Sequence, residues 1–203
     1  KLMSFIGSEG TNAYTSTDMT VYVEQIPSNQ IENWARIQAD RFANPVIRGF
    51  HTELETVYEE KNMSLTKDFR KALEALDGML FPDHPYGTQT VLGTQEHLKN
   101  PSITNIKNYQ KTYYVPNNMA ICLSGDFDPD EMVAVIEKYF GQMQPNKDLP
   151  EITLATSSVI ESPLEKDVYG LDAENIMIGW KYPGAKSEDA LVAEVAASVL
   201  YNG

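Results

Sequence analysis

Apolar positions recur along the chain with two different periods, and each change of period marks an element. Over residues 11–26, β-branched and aromatic side chains gather around Thr20-Val21-Tyr22-Val23 and stop at Pro27, which predicts a strand or a pair of strands. Ser28 then offers an N-cap, and Ile31, Trp34, Ile37, Gln38 and Phe42 follow at three-to-four spacing, predicting a helix that ends before Pro45. Helical period returns from about residue 52 to 76 through Leu54, Val57, Tyr58, Leu65, Phe69, Leu73 and Leu76, with an irregularity expected near Ser64 and a stop at Gly78. The prolines of residues 81–87 predict a loop, and Asn100-Pro101-Ser102 opens a helix running to about Tyr113, closed by Val115-Pro116-Asn117-Asn118. Residues 119–124 form a short apolar run expected as a buried strand. Asp128 as N-cap, Pro129 at the first helical position, Glu131 two residues on and Gly141 as the stop delimit a further helix. Residues 174–180 read as a strand, and Ser187 is expected to cap a helix through Leu200.

Strands and helices in this order predict an α+β fold: an antiparallel or mixed sheet with helices packed on one face. The polar stretch 142–161 has few packing positions and is the expected linker, dividing residues 1–150 from a fresh strand and helix in 151–203. Residues 1–6 read as the tail of an amphipathic helix stopped by Gly7 and Gly10, and an apolar helix stands at the other end, so an internal fragment of a longer protein is expected.

Composition narrows the function. With 42% hydrophobic and 22% charged residues the 203-residue chain has an ordinary globular profile. Twenty-nine acidic against sixteen basic residues give a net charge of -13, which repels phosphate backbones and argues against nucleic-acid binding. No apolar run approaches the ~18 residues of a membrane-spanning helix. Cys122 is the single cysteine, so there is no disulfide framework, and its apolar neighbours predict a small buried side chain. His51, His84 and His97 are not spaced to ligate one metal from one helix turn, and His84 suits a structural loop. Glu53 and Glu60 are seven residues apart on the predicted acidic helix, about two turns or ~10 Å along one face. One carboxylate there is placed to bind a metal while the other orients a histidine ligand by hydrogen bonding. Without further support the same pair is ordinary surface charge.

Several ordered stretches add that support. Gly10-Thr11-Asn12-Ala13-Tyr14-Thr15-Ser16, Thr20-Val21-Tyr22, Glu53 to Asn62, His84-Pro85-Tyr86-Gly87, Gly93, and Tyr114-Val115-Pro116-Asn117-Asn118 leading to Ser124-Gly125-Asp126 together resemble the pitrilysin/insulinase family of zinc metallopeptidases, which includes the mitochondrial processing peptidases. The resemblance implies a processing-peptidase-like fold, zinc as cofactor, a peptide substrate, and a second half of the peptidase chamber in the same chain or a partner subunit. It makes Glu60 the metal ligand, Glu53 its acidic neighbour, and Asn12, Ala13 and Thr15 part of a strand edge that pairs with an extended peptide. The family's H-x-x-E-H motif, which supplies two zinc-binding histidines and the catalytic base, is absent. Residues 1–150 are thus expected to be the remainder of a first peptidase domain and 151–203 the start of a second. The parent would be a zinc metalloendopeptidase and this fragment inactive, with no catalytic residue of its own. A non-catalytic homologue acting as a subunit or peptide-binding protein is the alternative. An exposed sheet edge is also a physical reason to expect a dimer.

Overall fold

A computed structural model describes residues 1–153 and 156–202, so positions 154 and 155 of the expected linker lie outside the described residues. The architecture is α+β. Two compact units divide the chain, one made of Lys1–Glu59 and Val91–Thr153, the other of Glu60–Thr90 with the described residues beyond 155.

In the first unit a short helix α1 (Leu2–Phe5) precedes an antiparallel hairpin of β1 (Gly10–Thr15) and β2 (Thr20–Gln25), so the strand-rich stretch is a pair of strands. Side chains directly opposite in an antiparallel pair share a face, so the register Thr11↔Glu24, Ala13↔Tyr22 and Thr15↔Thr20 puts these six on one side. On that side α2 (Ile31–Ala43) packs on β2 at Tyr22 and Glu24, and the β1 residues stay exposed. The Tyr22 ring meets Phe42 edge-on at 5.4 Å with the Arg41 guanidinium 4.5 Å over it, and Phe42 stacks on Tyr114 at 6.2 Å. Burial, with a hydrogen bond to the Tyr22 hydroxyl at 3.3 Å, pushes the Tyr114 phenol up to about 12. Glu24 accepts from the Trp34 indole at 2.5 Å and from the Gln38 amide at 2.6 Å, tying β2 to two turns of α2. Ile31, Ala35, Ala39 and Val115 form the buried apolar core, with Gln38 the buried polar residue among them.

The start of α2 differs from expectation. A 3-10 turn at Ser28–Gln30 precedes it, closed by the Gln30 N–H to Pro27 carbonyl bond at 2.9 Å, so Ser28 lies inside the turn and does not cap α2. The long predicted helix is two helices, α3 (Phe50–Leu65) and α4 (Asp68–Leu80). The Ser64 and Thr66 hydroxyls donate back to the carbonyls of Lys61 and Met63, both at 2.8 Å, satisfying the last turn of α3 where Lys67 turns extended. The division between the two units falls within α3, at Glu59/Glu60.

In the second unit α4 continues through Gly78 and packs against α5 (Pro85–Thr88), which takes up the end of the loop expected over 81–87, residues 81–84 remaining a turn. Lys61, buried on α3, reaches the Glu74 carboxylate of α4 at 3.3 Å and the Thr90 hydroxyl at 3.4 Å. Back in the first unit, α6 (Gln95–Lys99) was not expected, although Thr94 and His97 form a reciprocal capping box at its start. Next, α7 (Ile103–Tyr113) begins where Asn100-Pro101-Ser102 predicts a helix start, and the Ser102 hydroxyl caps it. Its end is fixed by Asn118, which donates to the Tyr113 carbonyl at 2.9 Å, and by Asn117, which exchanges bonds of 2.8 and 3.0 Å with Asn146. Helix α8 (Pro129–Phe140) has the predicted cap, Asp128 accepting from the N–H groups of Asp130 and Glu131, and packs on α2 through Trp34 and Phe140, 6.2 Å apart.

Two expected strands are not formed. Residues 119–124 and 174–180 pair with no neighbouring strand among the described residues, and an apolar run without a ladder partner is not a strand. Cys122 is consequently exposed, as are Ile176, Ile178 and Trp180. The last helix, α9 (Asp189–Asn202), begins just after Ser187, whose hydroxyl donates to the Gly184 carbonyl at 2.7 Å and so does not cap it.

Candidate functional site

Residue choice builds an open strand edge at β1. All six of its residues are exposed, and its ladder partner among the described residues is β2. Asn12 and Tyr14 share the face turned away from α2 with Val23 and Val21, their register partners, while Ala13 and Thr15 lie on the α2 side. The Thr15 hydroxyl is 3.2 Å from that of Thr20 across the ladder. Asn12 Oδ1 accepts from the Ala13 N–H at 2.9 Å. The three predicted peptide-binding residues therefore lie on one edge strand, within four positions of each other and with the small Ala13 among them.

The two predicted acidic residues lie on α3. Glu53 is in its first turn, where its charge complements the helix dipole, and its N–H bonds the Gly49 carbonyl at 3.0 Å. Glu60 follows two turns later on the same exposed helix face. Neither carboxylate has a hydrogen bond or ion pair to a described residue, so both oxygens of each remain available. Glu53 belongs with Asn12, Ala13 and Thr15 to the first unit and Glu60 to the second. No group of three or more His, Cys, Asp or Glu able to hold a metal occurs among the described residues. Glu60 suits zinc as one oxygen donor, but the three protein ligands of a catalytic zinc are not completed by these residues.

The histidines are otherwise engaged. His84 Nδ1 accepts the Tyr86 N–H at 3.1 Å, capping α5, and His97 Nδ1 accepts the Thr94 N–H at 3.4 Å. Two of the three imidazoles thus serve helix starts, and the structural reading of His84 has a definite geometry. His51 lines an open cleft of ≈ 320 Å³ with Leu54, Glu55, Tyr58, Glu59, Leu98 and Lys99. At about 100° per residue, His51, Glu55 and Glu59 lie roughly 160–240° around α3 from Glu53. The cleft is on the back of the helix, away from the Glu53 and Glu60 face. Sequence reasoning passed it over because five of its seven lining residues come from successive turns of α3 and the other two, Leu98 and Lys99, from α6.

Comparison with known proteins places the chain in a family. A profile described as the Peptidase M16 inactive domain matches residues 102–203, beyond the strand edge and both glutamates. A probable mitochondrial-processing peptidase subunit beta of Schizosaccharomyces pombe is 29% identical over 138 residues, covering 66% of this chain and 30% of the relative. An uncharacterised zinc protease of Mycobacterium leprae is 29% identical over 140 residues, covering 67% and 31%. The chain thus spans about a third of the length of these curated relatives. A crystal structure of a protease from Helicobacter pylori shares the fold with a TM-score of 0.66 at 21% identity, covering 77% of this chain and 37% of that one. The first half of the periplasmic protease PqqL from Escherichia coli aligns with a TM-score of 0.65 at 20% identity, covering 73% and 33%.

Proposed function

The chain belongs to the M16 peptidase family, and from that premise we propose that its 203 residues are one part of a zinc-dependent metalloendopeptidase. Residues 1–150 are the remainder of a first peptidase domain, and 151–203 the linker and opening of a second, homologous one. The observation that carries this reading is α3, one continuous helix that presents Glu53 and Glu60 two turns apart on an exposed face with neither carboxylate engaged. Relatives named as zinc proteases support zinc as the cofactor. Glu60 holds the metal through a carboxylate oxygen, and Glu53 orients a histidine ligand contributed from outside these residues. A zinc ion held there would supply Lewis acidity toward a peptide carbonyl and would acidify a water. The β1 edge binds the substrate as an added strand, reading its main chain and few of its side chains. A second half closes the chamber, from the same polypeptide or a partner subunit, in keeping with the matched PqqL structure being described as a first half. By itself the chain lacks the full ligand set and the base and does not hydrolyse peptides; chelator-sensitive cleavage by the purified chain, lost in Glu60→Gln, would refute this.

The second reading is a non-catalytic homologue, favoured by the inactive-domain description of the matched profile. Zinc stoichiometry on the protein extended upstream of Lys1, beside its Glu60→Gln variant, separates the two. One zinc per chain that is lost or weakened in the variant supports the peptidase. A folded, metal-free extended protein supports the homologue. The open β1 edge also gives two copies a means to pair, and a monomer by solution scattering at high concentration would exclude that dimer.

A further inference from the structure

The hydrogen-bond phase of the hairpin fixes which residues of β1 face outward. Ser16 donates to the Met19 carbonyl at 2.8 Å, and this pair continues the register in which Thr15 faces Thr20. In an antiparallel ladder, main-chain-bonded pairs alternate with pairs that bond outward. Gly10, Asn12 and Tyr14 therefore turn their N–H and C=O groups toward β2, while Thr11, Ala13 and Thr15 turn theirs to the free edge. The hydroxyl contact between Thr15 and Thr20 at 3.2 Å fits this phase, because side chains approach most closely in pairs without main-chain bonds.

The central outward donor is already occupied. Asn12 Oδ1 sits 2.9 Å from the Ala13 N–H, although Asn12 and Ala13 are both exposed and water could serve that N–H. An unpaired edge is a template for another strand, and an acceptor placed on its middle donor blocks pairing until it moves. We propose that Asn12 is a displaceable cap on the β1 edge: its carboxamide oxygen fills the Ala13 N–H in the free chain and yields that position to a carbonyl of an incoming extended peptide. This rests on the reading of β1 as the peptide-binding edge.

Two consequences distinguish a cap from a surface asparagine. The peptide residue opposite Ala13 exchanges both main-chain bonds with it, and residues two on either side do so with Thr11 and Thr15. N-methylation at these alternate positions removes a bond each, whereas methylation at the positions between them points away from the edge and is tolerated. A second copy pairing at this edge must displace the same cap as a peptide does.

The test uses the 203-residue chain, ¹⁵N-labelled, with amide hydrogen exchange read at Thr11, Ala13 and Thr15. In the free chain Ala13 should exchange more slowly, relative to its intrinsic rate, than Thr11 and Thr15. Asn12→Ala should abolish that difference with an increase of about fivefold, the size of one exposed hydrogen bond, and Asn12→Asp, which keeps the acceptor, should retain it. A blocked decapeptide of alternating Lys and Val, basic to suit the -13 charge, should then protect all three amides, and singly N-methylated versions should weaken binding at every second position. Equal Ala13 exchange in the native chain and Asn12→Ala overturns the cap while leaving the edge reading to the titration. Ala13 protection that saturating peptide leaves unchanged, with Thr11 and Thr15 unprotected, overturns both displacement and the edge reading. Binding at the edge without alternation in the methylated series overturns the assigned phase.

Discussion

Glu24 is the most consequential single carboxylate in the first unit, because it is the acceptor that joins β2 to α2. Glu24→Ala removes the acceptor from the Gln38 amide, 2.6 Å away, and from the Trp34 indole, 2.5 Å away. Gln38 is only 4% exposed, so its orphaned N–H is not rescued by bulk water and costs about 1–3 kcal/mol. Met3 Sδ, at 3.7 Å from the same nitrogen, is a weak acceptor and recovers little. Trp34 is half-buried, and partial access to water limits the loss at its indole to about 0.5–1 kcal/mol. The sum is about 1.5–4 kcal/mol. Glu24→Gln should cost less, since its amide oxygen still accepts one bond. Adding Gln38→Leu to Glu24→Ala removes the stranded donor, so the double variant should lose about 1–2 kcal/mol less than the two single losses added. The assay is urea unfolding followed by Trp34 fluorescence in a Trp180→Phe background, which isolates the first unit because the chain has two tryptophans. A loss below about 1 kcal/mol in Glu24→Ala, or strict additivity in the double variant, would refute the idea that a buried donor depends on Glu24.

Two further outcomes concern the second unit. Asp68 is held down to about 2 by Lys71 and by the backbone N–H groups of Asp172 and Leu171, and Asp83 to about 2 by the hydroxyl and N–H of Ser158. Both native values lie below the ordinary 3.8, so their stabilisation is complete above that value and is lost as pH falls toward 2; proteolytic cleavage within residues 157–172 should accelerate across that window, and a flat profile would contradict it. At Gly87 an added Cβ would lie 2.2 Å from the Phe81 carbonyl and 2.5 Å from that of Asp77, so Gly87→Ala must shift backbone and cost about 1–3 kcal/mol by Trp180-monitored urea unfolding. Gly78→Ala meets the Gly87 carbonyl at an ordinary 3.7 Å inside α4 and should be neutral or stabilising, which serves as the control.

Much of the helical structure was legible because helix signals are local. Ser102 and Asp128 cap the helices they precede, and the apolar period of residues 31–42 is α2. The failures were of two physical kinds. Where hydroxyls bond back to the helix, as Ser64 and Thr66 do, the irregularity expected near Ser64 is a full break between α3 and α4, and the apolar period that runs across it does not show its extent. Where a strand was read from an apolar run alone, at 119–124 and 174–180, the property that makes a strand is a partner elsewhere, and periodicity contains no information about the partner. Gly78 shows a third limit: the glycine read as a stop sits inside α4, beside the Gly87 carbonyl of α5.

The same distinction governs the site. Two turns between Glu53 and Glu60 follow from helix geometry, so their common face was readable once the helix was; completion of a ligand set depends on residues that no spacing within α3 can supply. The recognisable motifs divide accordingly. In His84-Pro85-Tyr86-Gly87 the histidine caps α5 and the glycine admits the carbonyls of Phe81 and Asp77, while Asn117 and Asn118 clamp the end of α7 to Asn146 and Tyr113. The residues that carry the sequence resemblance here have local structural roles, so they speak to the fold and leave the chemistry open. Asn12 is the converse case. Its type and place suggest contact with a peptide, but its role as acceptor for the next residue's N–H depends on the hydrogen-bond phase of the hairpin. That phase is set across the turn by Ser16 and Met19, so the guarded state of the edge emerges only when both strands are in place.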